Sequence, residues 1–414
     1  MQNQPFTNPF KPGAGHMPPY LAGREKETRE FLQLLEQTTI LDNMVLTGLR
    51  GVGKTVLLDK FKPLAIEKRW LWVGTDLSES ASVTEETIAL RLLTDLSVVT
   101  SNIIIKKEEK THIGFTSDKS FIDHRLNYAT LIDIFKSIPG LVSDKLKGIF
   151  ELVWKYLKPL KVRGIIFAYD EAQTMTDHAE KEQYPLSLLL DVFQSIQKKN
   201  IPFMLILTGL PTLFPKLVEA RTFSERMFRI VFLDKLSSSE SRDAIIKPID
   251  DAKCPIKFNE ESIKLVIKES GGYPYFIQFI CREIYDVFLQ KVSDGKHPSV
   301  PMEEIIMKLD KDFFSGRWAK ATDRQRELLA VIASLSNCQE EFTVQEVVAE
   351  SKKHLSNPFS SSHANQMLAS LTNAGLIYKN RHGKYSFAVP LMDRFILRQP
   401  IDGFESNFMK EVDK

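Results

Sequence analysis

Few cysteines, no long apolar run and almost no net charge set the outer limits on this chain. Its three cysteines, Cys254, Cys281 and Cys338, stand far apart among 414 residues with no paired spacing. That excludes a zinc-ligand pattern and a disulfide framework, and it suits a reducing compartment. The longest apolar runs, such as FMLILTGL at 203–210, fall well short of the roughly 20 residues a membrane span needs. The start, MQNQPFTNPFKPGAGHMPPY, is polar and proline-rich and has no apolar stretch of the signal-peptide kind. The chain is therefore expected to be cytoplasmic, with no membrane partner. A net charge of +2 argues against a polyanion binder acting over its whole surface, so any nucleic-acid face must be local.

What is present is ordinary globular composition, 43% hydrophobic and 26% charged, in a chain too long for one core. Two or three domains are expected. Against that background one stretch stands out. Residues 46–55 read LTGLRGVGKT, and Met44, Val45 and Leu46 look like the end of a buried strand. Gly48, Leu49, Arg50, Gly51, Val52, Gly53, Lys54 and Thr55 match the phosphate-binding pattern G-x-x-x-x-G-K-[ST], with Val56 opening a helix that carries Leu57, Leu58 and Phe61. Gly51 and Gly53 let backbone N–H groups turn inward around phosphates, and the helix adds its positive N-terminal end. Lys54 would reach the β- and γ-phosphates, and the Thr55 hydroxyl would ligate Mg2+.

The second chemical stretch is IIFAYDEAQ at 165–173, where an apolar strand ends in two carboxylates. In a parallel sheet, ligands bind beyond the carboxyl ends of the strands. Asp170 is read as a metal-shell ligand and Glu171 as the base that orients and deprotonates a water. No N-K-x-D guanine-reading motif follows the loop, which points to adenine and hence to ATP/ADP with Mg2+. Thr208, near the end of the strand LILTGL, either hydrogen-bonds the attacking water or γ-phosphate or is an ordinary β-branched strand residue. Arg226 and Arg229, in FSERMFRIVFL, stand just before a strand. One of them, with Arg226 preferred, either faces a neighbouring subunit's γ-phosphate or pairs with Glu225 or Asp234.

Along the chain, prolines at 5, 9, 12, 18 and 19 predict an extended segment over 1–20. Apolar strands near 44–47, 69–77, 162–173, 202–210 and 228–232 alternate with helical stretches, which predicts a parallel sheet covered on both faces. Residues 101–122 carry mixed charge without a clear period and read as part of an insertion over about 101–160. After about 235 the pattern is helical. Near 322 a further unit begins, in which three helices precede GLIYKNRHGKYSFAVP, two short strands around a His-Gly turn. That order predicts a winged helix.

Together these pieces resemble the AAA+ ATPases, in the branch near Orc1/Cdc6-like initiators and the STAND ATPases. LAGREKE at 21–27 is similar to the h-h-G-R-E element that precedes the loop in STAND proteins. GGYPYFIQ at 271–278 is similar to their G-x-P element in the helical lid. The resemblance implies that Tyr20, Leu21 and Pro274 line the base pocket and that Gly23 and Arg24 fix the N-terminal turn. DEAQ at 170–173 also occurs in AAA+ ATPases of the ExeA and transposition-helper type. GGYPYF holds no arginine, so the resemblance supplies no lid contact to the γ-phosphate.

The expected fold class is α/β, a parallel-sheet P-loop NTPase core (21–235) with a helical lid (236–315) and a C-terminal winged-helix domain (316–414). The expected function is ATP binding and hydrolysis, with nucleotide state controlling assembly and the binding of DNA or a partner. The alternative is a slow-hydrolysing signalling switch whose winged helix contacts protein. A helicase, suggested by the DEAQ letters, would need a second RecA-like domain that 235–414 does not supply. Lys379, Arg381 and Lys384 in the wing are the candidate DNA contacts. Residues 320–400 hold ten Lys or Arg against seven Asp or Glu, enough for a modest grip on phosphates. A homo-oligomer, DNA and a protein partner are the partners left open.

Overall fold

The computed structural model describes residues 7–13, 15–78, 80, 83–110, 120–254, 257–293, 301–381 and 383–401. Contacts divide the chain into two units. One comprises residues 24–47 and 57–232; the other comprises 1–23, 48–56 and 233–414.

The first unit is built on five parallel strands in the order β2-β5-β6-β1-β7. They are β1 (Asn43–Thr47), β2 (Trp70–Val73), β5 (Gly164–Tyr169), β6 (Phe203–Gly209) and β7 (Phe228–Phe232). Every residue of β1, β5 and β6 is buried, as expected of interior strands covered on both faces. β7 lies at the edge and leaves Ile230 and Phe232 exposed. The register pairs Val45 with Leu207 on one side and with Ile230 on the other, and Tyr169 with Leu207.

Helices α1 (Glu25–Leu35), α2 (Lys54–Glu67), α3 (Glu85–Thr100), α4 (Tyr128–Ser137), α5 (Val142–Leu157), α6 (Pro185–Lys198), α7 (Leu213–Ala220) and the short α8 (Ser224–Met227) connect and cover the strands. α1 buries Phe31, Leu34 and Leu35, and Phe31 stacks on Phe61 of α2 at 4.1 Å. Phe150 of α5, Phe193 of α6 and Phe167 and Phe203 of the sheet form an aromatic centre with ring separations of 5.0–5.8 Å. The break at Pro139-Gly140 separates α4 from α5.

The stretch at 101–122, for which the sequence offers no period, contains most of a hairpin, β3 (Ile104–Lys110) against β4 (Ser120–Arg125). Its strands pair only with each other. The run Lys106-Lys107-Glu108-Glu109-Lys110 carries no apolar alternation, so the period-two signal is missing.

The second unit holds α9 (Ser238–Asp251), α10 (Glu260–Ser270), α11 (Pro274–Ser293) and α12 (Met302–Leu309). A π-helical turn over Asp310–Phe314 and the short α13 (Ser315–Trp318) follow. The extended N-terminal segment docks on α11. Phe10 is buried beside Tyr285 at 5.9 Å, and the Asn8 amide donates to the Arg282 carbonyl (2.9 Å) and Asp286 Oδ1 (2.7 Å). Then come α14 (Asp323–Ala333), β8 (Phe342–Thr343), α15 (Val344–His354), α16 (Ser361–Asn373), β9 (Ile377–Arg381), β10 (Lys384–Phe387) and α17 (Met392–Leu397). The strands form an antiparallel sheet ordered β8-β10-β9, which with α14, α15 and α16 makes the winged helix the sequence predicts. All three cysteines are buried and free.

Asn43, fully buried at the start of β1, shows what holds the sheet in register. Its amide donates to Gln197 Oε1 (3.1 Å) and the Met227 carbonyl (3.2 Å) and accepts from Gln197 Nε2 and Leu205 N–H (both 2.8 Å). Asn43→Ala would strand several of these groups without water, each costing about 1–3 kcal/mol. We expect a destabilisation of roughly 2–4 kcal/mol in denaturant unfolding; a change below about 1 kcal/mol would show that solvent reaches the network.

Candidate functional site

The glycine-rich loop starts directly after β1. Gly48 has its ideal Cβ position only 2.4 Å from the Leu233 carbonyl oxygen, so no side chain fits there. Gly53 has open space around it but a φ of +91°, a backbone that an L-residue adopts only with strain. Lys54 Nζ donates to the carbonyls of Gly48 (2.9 Å) and Leu49 (3.0 Å), folded back along its own loop. Thr55 and Val56 lie in the first turn of α2, half-buried. The loop is also tied to the lid helix: Tyr275 N–H, at the second position of α11, donates to the Gly51 carbonyl at 3.1 Å.

The carboxylates follow β5. Asp170 is buried, and its Oδ1 accepts from the N–H of Glu171 at 2.8 Å. Glu171 is exposed and has left-handed backbone angles (φ 52°, ψ 30°). A non-glycine residue held there carries strain of about 1–3 kcal/mol. Thr208 is wholly buried, and its Oγ1 has no hydrogen-bond partner. The register of β5 with β6 ends at Tyr169 opposite Leu207, and Asp170 and Thr208 are the next residues of the two chains. The hydroxyl and the carboxylate thus share one end of the sheet, the end at which β1 also gives way to Gly48.

Gln173 was not read from the sequence as a site residue. Its amide Nε2 donates to Glu171 Oε2, while its Oε1 accepts from Leu210 N–H at 3.0 Å, just beyond β6. Lys216, on α7, donates to the Gln173 carbonyl (2.8 Å) and to Thr176 Oγ1 (3.0 Å). Burial lowers the Lys216 pKa below its ordinary value. The only sequence signal for Gln173 is its place two residues after Glu171, which says nothing about the strand it bridges to. Thr47, whose Oγ1 is likewise buried without a partner, was also missed.

The remaining predicted residues fall as follows. Tyr20 is half-buried under Lys247, whose Nζ lies 4.4 Å from the ring centre and 2.7 Å from the phenol oxygen. Leu21 is half-buried beside it in sequence, and Pro274 is the first residue of α11. Arg226 is exposed on α8 and makes no ion pair among the described residues. Arg229 instead pairs with Asp42 at 3.3 Å, a partner the sequence did not suggest. In the wing, Lys379 is exposed, and Lys384 pairs in register with Arg381 across the turn. Ser361, Ser362, Asn365 and Gln366 are exposed along α16. Among the described residues no helix is long and apolar enough to cross a membrane.

Solved structures with the same architecture are recognisable. The Walker-type ATPase PABY2304 of Pyrococcus abyssi superposes with a TM-score of 0.54 at 16% identity, covering 91% of this chain and 96% of that one. The ADP form of the Aeropyrum pernix ORC2 protein gives 0.53 at 15% identity, covering 94% and 96%. Its ADPNP-ADP complexes give 0.51 at 13% identity, covering 93% and 95%. The chain shares the fold of this Walker-type ATPase and of the ORC2 protein. Residues 311–396 match a family model described as "Domain of unknown function (DUF8462)". No curated protein matches the chain.

An unpaired buried hydroxyl costs about 1–3 kcal/mol, so Thr208 is kept at the expense of stability. Thr208→Val keeps the shape and removes the hydroxyl. We expect the nucleotide-free variant to gain about 1–3 kcal/mol in urea unfolding. A loss would show the hydroxyl already satisfied by solvent in the folded protein.

Proposed function

We propose that this chain is an ATP-binding and ATP-hydrolysing AAA+/STAND-type protein, with a core over 21–235, a lid over 236–315 and a winged-helix domain over 316–414. The observation that carries the reading is the common end of the parallel sheet. There β1 opens into the phosphate-binding loop, buried Asp170 follows the last residue of β5, and the orphaned hydroxyl of Thr208 lies near the end of the adjacent strand β6. The solved relatives are described as a Walker-type ATPase and as ADP and ADPNP complexes, which supports a nucleotide as the ligand.

In this reading Gly48–Val56 cradle the phosphates, with Lys54 leaving its loop carbonyls to meet the β/γ charge. Thr55 and Asp170 supply hard oxygen donors of the kind Mg2+ takes, and the ion would neutralise charge on the phosphates. Glu171 takes the proton of the attacking water, and Thr208 orients that water or the γ-phosphate. Tyr20, Leu21 and Pro274 border the adenine. Arg226, exposed and unpaired, reaches the γ-phosphate of a second copy, so hydrolysis depends on assembly.

Lys54→Ala should lower ATP affinity roughly 10- to 100-fold, since it removes the one lysine aimed at the phosphates. Glu171→Gln should keep binding but lose roughly 10²- to 10⁴-fold in turnover, because the amide cannot take a proton. Calorimetric titration and phosphate release measure the two. Unchanged ATP affinity in a folded Lys54→Ala protein would falsify the reading.

The winged helix, in the proposal, grips DNA phosphates through Lys379, Arg381 and Lys384. Changing all three to Ala should weaken DNA binding and reduce its log–log salt slope by at most about 3. A second reading, a slow switch whose winged helix contacts protein, draws on two observations. Gln173 engages the Glu171 carboxylate, and α16 offers no Lys or Arg. No DNA binding by the unaltered protein at low salt, with turnover unmoved by DNA, would favour that second reading.

A further inference from the structure

Arg50, the third residue of the glycine loop, is half-buried, and its Nε has no hydrogen-bond partner. Arg317, on α13, is separated from it by 267 positions in sequence yet belongs to the same unit. Its guanidinium carbon lies 4.6 Å above the Phe313 ring, and Nη1 donates to the Phe313 carbonyl at 2.6 Å. Phe313 packs against Tyr275 with ring centres 5.2 Å apart, and Tyr275 N–H holds the Gly51 carbonyl. A chain of contacts thus runs from the loop through Tyr275 and Phe313 to Arg317.

Burial, and after it the positive charge of Arg50, both disfavour the charged form of Arg317. No carboxylate offsets them: neither arginine makes an ion pair among the described residues. Two half-buried guanidinium groups that repel each other and lack an acid partner are an unfavourable arrangement in the absence of an anion. A phosphate is the anion whose geometry two guanidinium forks match.

We propose that Arg50 and Arg317 form a paired anion subsite for the terminal phosphate of a bound nucleoside triphosphate, so that the pair distinguishes triphosphate from diphosphate. The proposal rests on the reading of residues 48–55 as a nucleotide loop. The segment 310–318 then reports the γ-phosphate to the winged helix that follows it in the chain. Arg317 acts here as a binding and discriminating residue, with no role in proton transfer.

The test compares the binding of a non-hydrolysable ATP analogue with that of ADP by calorimetry, in the full chain and in Arg317→Ala and Arg317→Lys. Arg317→Ala should lose roughly 10- to 100-fold in affinity for the analogue, the worth of a charge-assisted contact, with ADP affinity nearly unchanged. Arg317→Lys keeps the charge but not the fork, and should fall between. Arg50→Ala should show the same selective loss. Equal losses for both nucleotides, or none, would mean that Arg317 only packs on Phe313, and the proposal would fall. If Arg317→Ala does not fold, the triphosphate-to-diphosphate ratio in Arg317→Lys decides, an unaltered ratio overturning the assignment. Inorganic phosphate added to the ADP complex should change nothing; a phosphate-dependent gain abolished by Arg317→Lys would assign the pair to free phosphate instead. Failure of the unaltered protein to bind either nucleotide would instead remove the nucleotide reading on which the proposal stands.

Discussion

The hydrogen bond from Tyr275 N–H to the Gly51 carbonyl constrains more of this structure than any other single contact. The first N–H groups of a helix have no acceptor within it and must find one elsewhere. α11 finds one in the glycine loop. Because the peptide unit is planar and trans, fixing the Gly51 carbonyl toward α11 turns the Val52 N–H of the same unit the other way. The lid helix thereby orients the loop backbone on the side where N–H groups are needed for an anion. Contacts consequently group residues 48–56 with 233–414, although the chain enters the loop straight from β1. Replacing Gly48 would force a Cβ against the Leu233 carbonyl, so the loop is held closely from a second direction as well.

The sheet contributes a different constraint. β1, β5 and β6 are buried along their whole length, so any polar side chain at their ends must find a partner or cost stability. Asn43 satisfies this rule at one end, where its amide closes a network with Gln197, Leu205 and Met227. Thr47 and Thr208, near the other end, do not. Of the buried side-chain atoms without a partner among the described residues, the two on these strands, Thr47 Oγ1 and Thr208 Oγ1, both lie near the carboxyl ends of their strands.

The sequence made the buried strands legible because MVLT, GIIFAY and FMLILTG are apolar runs ended by glycine or acid; β1 and β6 lie within one residue of their predicted spans, while β5 ends at Tyr169, four residues before the predicted 173. The winged helix was legible for a similar reason: three capped helices and a His-Gly turn make a locally determined order. The hairpin of β3 and β4 was not, because the run KKEEK of β3 has no apolar alternation to mark a strand. Gln173 and Arg317 were invisible for another reason. Their partners, Leu210 and the loop at 50, are brought to them by tertiary packing, and no local spacing encodes that. Arg229 illustrates the same limit, since its acid partner proved to be Asp42, distant in sequence.

The environment of Glu171 bears on how a hydrolytic site of this design would run. Its backbone is left-handed, and its Oε2 already receives the Gln173 amide. The other end of the same amide holds Leu210 N–H, two residues past Thr208, and Lys216 fixes the Gln173 carbonyl. The carboxylate therefore cannot turn fully toward a water without either breaking its bond to Gln173 or drawing on the end of β6. If the terminal phosphate engages Thr208, its arrival and the release of Glu171 become one coupled event. In the proposed hydrolytic reading, freeing Glu171 thus waits on the ligand, which is how a ligand shifts a resting state toward a competent one.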